Sequence, residues 1–200
     1  MYSNREVLGK NATVRRLKSS VTVMTARHPL ARLVSAFRDK FADGRKLDKP
    51  QSKDHFIYFW SPALKALYRN TNMPLQINFT QFVTFALLHK PHEPHWEPFT
   101  KLCSPCDISY QYIIFLDTLT EDLQFLMSAL NISTINSKTR DNRGPREGVD
   151  PSDDLTLDPD LLQYYLQLPP YLMAKVLHTY TLDIKLLGYQ VPEVLNAIAT

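Results

Sequence analysis

The sequence is poor in cysteine and glycine, and it contains no long apolar run. Its 200 residues include two cysteines and five glycines against fourteen prolines. Two cysteines are too few for a disulfide scaffold, and many prolines indicate stiff connections. No stretch of about 18 apolar residues occurs, so no membrane-spanning segment is predicted. The first ten residues lack the apolar core of a signal peptide.

What is present is typical of a globular protein. The composition is 44% hydrophobic, 22% charged and 11% aromatic, which excludes a disordered or fibrous chain. We expect a single domain over residues 1–200, long enough to bury a sizeable core. Within it, the polar and charged stretch 133–154 is predicted to be a solvated loop or an insertion.

The net charge of +3 is unevenly distributed. Residues 1–53 hold 13 Lys/Arg and 4 Asp/Glu, so the remainder of the chain is acidic. A basic first quarter suits an anionic ligand such as a nucleotide phosphate, a polyanionic glycan or nucleic acid. The alternative is a solvated surface whose arginines pair with acids elsewhere in the fold. No nucleic-acid-binding module of a known type is recognisable, and nucleic acid is therefore not predicted as a partner.

Alternation of strands and helices predicts the fold class. The β-branched run Val21–Thr25 is typical of a strand, and a second strand is predicted around Tyr110–Leu116. Directly after the first strand, Pro29 suits the first turn of a helix. The apolar stripe of that helix consists of Leu30, Leu33, Val34, Phe37 and Phe41. We expect an α/β fold with a mainly parallel sheet flanked by helices.

Further helices are predicted from the same periodicity, at 56–68, 79–89, 119–130, 161–168 and 171–187. Thr118 followed by Glu121 fits a capping box for the helix at 119–130. Prolines at 91, 94, 98 and 105 predict an irregular loop between the helix at 79–89 and the second strand.

Arg27 and Ser35 are the candidate anion-binding residues. In parallel α/β sheets, ligands bind beyond the carboxyl ends of the strands, where Arg27 follows the first strand. The next helix is expected to offer free backbone N–H groups and the positive end of its dipole. Ser35 lies opposite the apolar stripe, so its hydroxyl is available to the same anion. The alternative is an arginine that binds a carbonyl beside a helix serine without a ligand.

Two other groups of residues could suggest a metal or redox site. His89, His92 and His95, with nearby glutamates and the cysteine pair, match no common zinc spacing, and the prolines keep them off one helical face; no metal is predicted. Cys103 and Cys106 lie in a proline-rich loop rather than at a helix start, unlike a thioredoxin-type site. In an oxidising lumen they could form a local disulfide or bond to a missing region, and in the cytosol they would remain thiols; the sequence does not decide.

Three segments carry a resemblance to a known family. The first is ARHPLARLVSAFRDKF, which fits the pattern Arg-x-Pro-x-x-Arg-Leu-x-Ser-Ala-aromatic-Arg. The others are HWEPFTKLCSPCDISYQYIIFLDTLTEDLQFLM and LPPYLMAKVLHTYTLDIKLLGY. In this order, from Val21 to Tyr189, they resemble the carbohydrate sulfotransferases, most closely the Golgi branch of the chondroitin and dermatan 4-O-sulfotransferases.

The resemblance implies a P-loop-like sulfotransferase fold and the donor substrate 3′-phosphoadenosine 5′-phosphosulfate, whose 3′-phosphate Arg27 and Ser35 would hold. The acceptor would be a sugar hydroxyl of a glycosaminoglycan or related glycan, in the Golgi. His95 matches the family's His-Trp and is the candidate catalytic base, with Trp96 stacking on a sugar. The alternative is that both residues pack the loop against the core. Asp183, in the closing motif, is expected to anchor a helix.

Two features of the family are not found in this sequence. The 26 residues before Arg27 hold no Pro-Lys-x-x-x-Thr/Ser loop for the 5′-phosphosulfate, and no membrane anchor precedes it. We therefore expect an amino-terminally incomplete sulfotransferase domain, tied to a membrane only through such an anchor. The alternative is a non-catalytic remnant that binds nucleotide, anionic glycan or a partner subunit. Asn11, Asn78 and Asn131 begin N-glycosylation tripeptides, a hint of a secretory compartment. The oligomeric state is left open.

Overall fold

The computed structural model describes residues 10–41, 63–67, 77–90, 92–133 and 159–200. Two strands, β1 (Val23–Ala26) and β2 (Tyr112–Phe115), lie among helices. The first helices are α1 (Lys10–Ser19), α2 (Pro29–Lys40), α3 (63–67) and α4 (Phe79–Thr84), which continues as a π-helix over Phe85–His89. The later helices are α5 (Phe99–Leu102), α6 (Leu119–Ala129), α7 (Pro159–Leu166), α8 (Pro170–Leu187) and α9 (Glu193–Ile198).

The two described strands pair in parallel, as the alternation of strands and helices predicts. Their register runs from Val23 opposite Tyr112 to Ala26 opposite Phe115. Met24 and Ala26 are buried, together with Leu187 and Tyr189 from the end of α8 and the residues after it. The sheet is therefore covered by the end of α8, and its carboxyl edge lies beside Tyr189.

Helix α2 forms the centre of the main core. All five residues of its predicted stripe are buried, because the stripe faces α4, α7 and α8. Phe37 and Phe41 lie within an aromatic cluster that is completed by Phe79, Phe82, Phe85, Trp96 and Tyr164. The buried Tyr165 of α7 donates a hydrogen bond to the Leu30 carbonyl at 2.7 Å, which fixes α7 against the first turn of α2.

Some local predictions differ from the structure. Thr118 makes no side-chain capping bond to α6, so the predicted capping box is wrong. Instead, the carboxylate of Asp122 in the first turn of α6 accepts a hydrogen bond from the Phe115 N–H at 2.7 Å. This contact with the end of β2 directs the first turn of α6 toward the sheet.

Other differences concern elements that the periodicity does not reveal. Helices α1, α5 and α9 were not predicted, because α5 and α9 are very short and α1 consists mostly of polar residues. Almost all of the predicted loop or insertion at 133–154, and most of the predicted helix at 56–68, lie outside the described residues. Among the residues that are described, no helix has both the length and the apolar character needed to cross a bilayer.

Candidate functional site

The carboxyl edge of the parallel strands is the first part of the candidate site. The Leu116 N–H donates to the Ala26 carbonyl at 2.8 Å, so the strand ends lie side by side. Arg27 follows β1 directly and is half-buried, and Asp117 leaves the same edge two residues after β2. Arg27 therefore lies where ligands bind in parallel α/β sheets.

His28 makes the turn from β1 into α2. Its ring Nδ1 accepts the Leu30 N–H at 3.2 Å, and its carbonyl accepts the Arg32 N–H at 2.9 Å. Since Nδ1 is an acceptor, the proton of the neutral ring lies on Nε2, which donates to the Gln190 carbonyl at 2.9 Å. The side chain is 1% exposed. One imidazole thus joins the strand end, the helix start and the segment after α8.

This arrangement corrects one prediction about the helix start. Several free N–H groups were expected there, but Pro29 has none and the Leu30 N–H is bound by the His28 ring. Pro29 at the first helical position did mark the preceding residue as the N-cap. The sequence pattern nevertheless missed His28, because histidine is not among the usual capping residues.

Several groups surround the His28 ring. The Tyr189 ring lies 4.9 Å away between centroids, and its hydroxyl is 3.2 Å from the Asp117 carboxylate. Burial lowers the pKa of His28 below its ordinary value of 6.5. The hydrogen bond to Gln190 and the charge of Asp117 oppose that shift, while Arg27 adds to it. The ring is therefore held neutral.

Ser35 lies in the second turn of α2, six residues after Pro29 and thus about 9 Å along the helix axis. It is half-buried, and its hydroxyl forms no hydrogen bond within the part of the chain that the structure describes. Being seven residues from His28, it lies on the same side of the helix.

The second part of the site is the loop at 92–98, which Arg32 fastens to α2. The guanidinium donates to the Glu97 carbonyl at 2.6 Å and also to the Pro94 carbonyl. Its charged plane lies 4.4 Å from the centroid of the Phe99 ring. Although the sequence places Arg32 on the polar side of α2 with Ser35, its guanidinium binds the carbonyls of this loop.

Trp96 closes the inner side of the loop. Its indole is 1% exposed, contacts Phe41, Phe82 and Phe85, and donates to the Lys90 carbonyl at 2.7 Å. The buried Tyr180 hydroxyl donates to the Trp96 carbonyl. The prediction that Trp96 stacks on a sugar is therefore wrong, because both faces of the indole are enclosed. For Trp96 the alternative, packing against the core, is confirmed.

Asp183 of α8 holds the far end of the same loop. Its two carboxylate oxygens accept the N–H groups of Phe99 and Thr100, at 2.6 and 2.9 Å. Pro98, the N-cap of α5, has no side-chain oxygen to do this. The expected helix-anchoring role of Asp183 is confirmed.

His95 lies in this loop and remains accessible. Its side chain is 38% exposed, and its Nδ1 lies 2.6 Å from a Glu93 carboxylate oxygen. From the sequence, Glu93 was considered only as a possible metal ligand, although a carboxylate two residues before a candidate base is a usable signal. Arg32 links the loop of His95 to the helix that carries Ser35.

The cysteines and the potential metal ligands are the remaining reactive groups. Cys103 and Cys106 are both free thiols, and burial raises the pKa of Cys103. Within the described ranges, no cluster of three or more histidine, cysteine or acidic side chains could hold a metal ion.

Comparison with known proteins identifies a matching family and several related proteins. The family described as "Sulfotransferase family" matches residues 3–190. The chain is 28% identical to carbohydrate sulfotransferase 12 of Xenopus laevis over 198 residues, which cover 92% of this chain and 43% of that protein. It is 26% identical to carbohydrate sulfotransferase 8 of Homo sapiens over 200 residues, with coverages of 94% and 43%. Carbohydrate sulfotransferase 10 of Rattus norvegicus is 26% identical over 191 residues, with coverages of 90% and 50%.

The chain therefore spans about half the length, or less, of these curated relatives. No solved structure gives a significant match.

We expect the stability of the chain to depend on pH through His28. Its pKa is lowered in the folded state, so between that lowered value and 6.5 only the unfolded chain binds the proton. The free energy of unfolding should fall as the pH decreases through this window, by up to about 1.4 kcal/mol per unit, and this contribution should be constant above it. Urea unfolding across the window measures the slope. His28→Asn retains a capping group without a titrating ring and should show a flatter dependence. Equal slopes in both proteins would contradict the assignment.

Replacing Asp183 should remove the hydrogen bonds that hold α5 and the loop before it against α8. Asp183→Ala leaves two backbone N–H groups without their charged acceptor, and we expect a loss of about 2–3 kcal/mol in the free energy of unfolding. Asp183→Asn keeps one acceptor oxygen and should lose less. Urea denaturation of the three proteins gives the comparison, and a loss below about 0.5 kcal/mol in the alanine variant would show that the contact is dispensable.

Proposed function

The chain belongs to the sulfotransferase family, and we propose that it forms the part of a carbohydrate sulfotransferase that holds the 3′-phosphate of the donor and offers a base to the acceptor. The donor is 3′-phosphoadenosine 5′-phosphosulfate. The acceptor is a sugar hydroxyl of a glycosaminoglycan or related glycan; the relatives' names support a carbohydrate acceptor in general. The reaction takes place in the Golgi lumen, where a membrane anchor holds the whole protein.

The donor side rests on Arg27 and Ser35. Guanidinium presents parallel N–H groups that match phosphate oxygens, and Arg27 follows β1 at the carboxyl edge of the sheet. The observation that carries the proposal is the half-buried Ser35 hydroxyl, which forms no hydrogen bond within the described residues. It lies on the helix whose positive end begins beside Arg27. An anion bound by Arg27 would give that hydroxyl an acceptor.

The acceptor side rests on His95. The attacking sugar oxygen forms a bond to the donor sulfur as the bond between sulfur and the bridging oxygen of the 5′-phosphate breaks. The hydroxyl proton passes to His95, and adenosine 3′,5′-bisphosphate leaves. An accessible imidazole suits this step because histidine titrates near neutral pH. The basic charge of residues 1–53 would attract an anionic glycan.

Thermal unfolding with adenosine 3′,5′-bisphosphate tests the donor site. A ligand that binds only the folded chain, at 100 times its Kd, adds about 2.7 kcal/mol to the free energy of unfolding. For a chain of this size we expect the melting temperature to rise by roughly 5–10 °C. Adenosine 5′-monophosphate at the same concentration should give a much smaller rise, because it lacks the 3′-phosphate.

Variants of two arginines test whether the rise in melting temperature depends on Arg27. Arg27→Ala removes a charged, bidentate donor and should reduce the rise to about a third, whereas Arg27→Lys should retain more of it. Arg38→Ala is the matched control: it removes the same charge from the last turn of α2, where Arg38 contacts Tyr164. Equal shifts with both nucleotides, or an unchanged shift in Arg27→Ala, would refute the 3′-phosphate site. A specific shift without sulfuryl transfer to a glycan would favour the non-catalytic alternative.

A further inference from the structure

We propose that Glu93 is a positioning residue for His95: its carboxylate fixes the imidazole in the tautomer protonated on Nδ1, so that Nε2 is the atom that accepts the acceptor's proton. This inference rests on the proposed function, in which His95 is the base. It adds a residue and an atom to that function, and its central claim about the tautomer can be tested without turnover.

The geometry of the pair specifies the tautomer. A Glu93 oxygen lies 2.6 Å from His95 Nδ1 and 3.5 Å from the His95 backbone nitrogen. An ionised carboxylate only accepts hydrogen bonds, so a bond this short requires the proton on Nδ1. The lone pair of the neutral ring is then on Nε2. Because the histidine side chain is 38% exposed and the glutamate 16%, the orienting group is shielded while the ring remains accessible.

The backbone around the pair is held on both sides. The Glu93 carbonyl accepts the N–H groups of Trp96 and Glu97, at 3.0 and 2.8 Å, which closes the turn that contains His95. Arg32 binds the carbonyls of Pro94 and Glu97, one on each side of His95. The imidazole is therefore presented from a turn with little freedom, which is the condition for an oriented base.

The carboxylate also has a role when the proton arrives. As Nε2 takes the hydroxyl proton, the sugar oxygen bonds to sulfur, and the bond from sulfur to the departing phosphate oxygen breaks. The ring becomes a cation with both nitrogens protonated. Glu93, bonded to Nδ1–H, then faces a positive charge that it stabilises, as a carboxylate does for histidine in hydrolytic triads.

The same loop contains a matched control. Glu97 lies 3.0 Å from His92 Nδ1 and has the same 16% exposure as Glu93. The two pairs differ in the histidine: the His92 side chain is 74% exposed and therefore makes little contact with the rest of the loop. A Glu97 variant thus breaks an equivalent pair in the same segment and leaves Glu93 and His95 intact.

The first measurement is the tautomer of His95 in the ¹⁵N-labelled full chain. Long-range ¹H–¹⁵N correlation spectra at about pH 8.5, where histidine rings are mostly neutral, separate the protonated ring nitrogen from the unprotonated one. We expect the Nδ1–H form in the wild type and in Glu97→Ala, and a shift toward the Nε2–H form in Glu93→Ala. An Nε2–H ring in the wild type, or a ring that is unchanged by Glu93→Ala, would overturn the proposal.

The second measurement is sulfuryl transfer from 3′-phosphoadenosine 5′-phosphosulfate to desulfated chondroitin by the same samples. Glu93→Ala should lower kcat by about 10- to 100-fold with little change in KM for the donor, and Glu97→Ala should behave as the wild type. Unchanged kcat in Glu93→Ala would overturn the positioning role. A wild-type chain without transfer activity would favour the non-catalytic alternative, while the tautomer of His95 still decides for or against Glu93.

Discussion

Backbone groups in the proline-rich loop between the π-helix and β2 have to find hydrogen-bond partners outside regular secondary structure. Prolines at 94 and 98 prevent the segment from forming a helix or strand that would pair its own carbonyls and N–H groups. Side chains from distant elements supply the partners instead: Arg32 from α2, and Tyr180 and Asp183 from α8. This requirement is why two helices of the core converge on one short loop, and why His95 is presented from a fixed turn.

A similar constraint governs the strand-to-helix turn. Only Arg27 and His28 separate β1 from α2, so one side chain has to cap the helix and join it to the segment after α8. An imidazole does both because its two nitrogens differ in role, one accepting and one donating. Burial against Tyr189 keeps the ring neutral and thus suited to that task. Arg27 is part of this turn and Ser35 follows it in the second turn of α2, so the positions of both depend on it.

The two halves of the candidate site are linked through α2. Its first residues follow Arg27, its second turn carries Ser35, and Arg32 between them binds the loop of His95. A displacement of α2 would therefore move the donor side and the acceptor side of the proposed site together. The aromatic cluster beneath, with Phe37 and Phe41 packed against α4 and Trp96, resists such a displacement.

The sequence by itself determined the α/β class, the parallel strand pair, the buried stripe of α2 and the family, since local periodicity and contiguous motifs record these directly. It could not determine the capping role of His28, the contact of Arg32 with the loop, the burial of Trp96 or the pairing of Glu93 with His95. The predicted capping box at Thr118 is wrong for a similar reason: the contact made in the first turn of α6 is between Asp122 and the end of β2, which is distant from the local pattern. Each of these depends on which polar groups meet across the fold, and only tertiary packing brings residues such as His28 and Gln190 together.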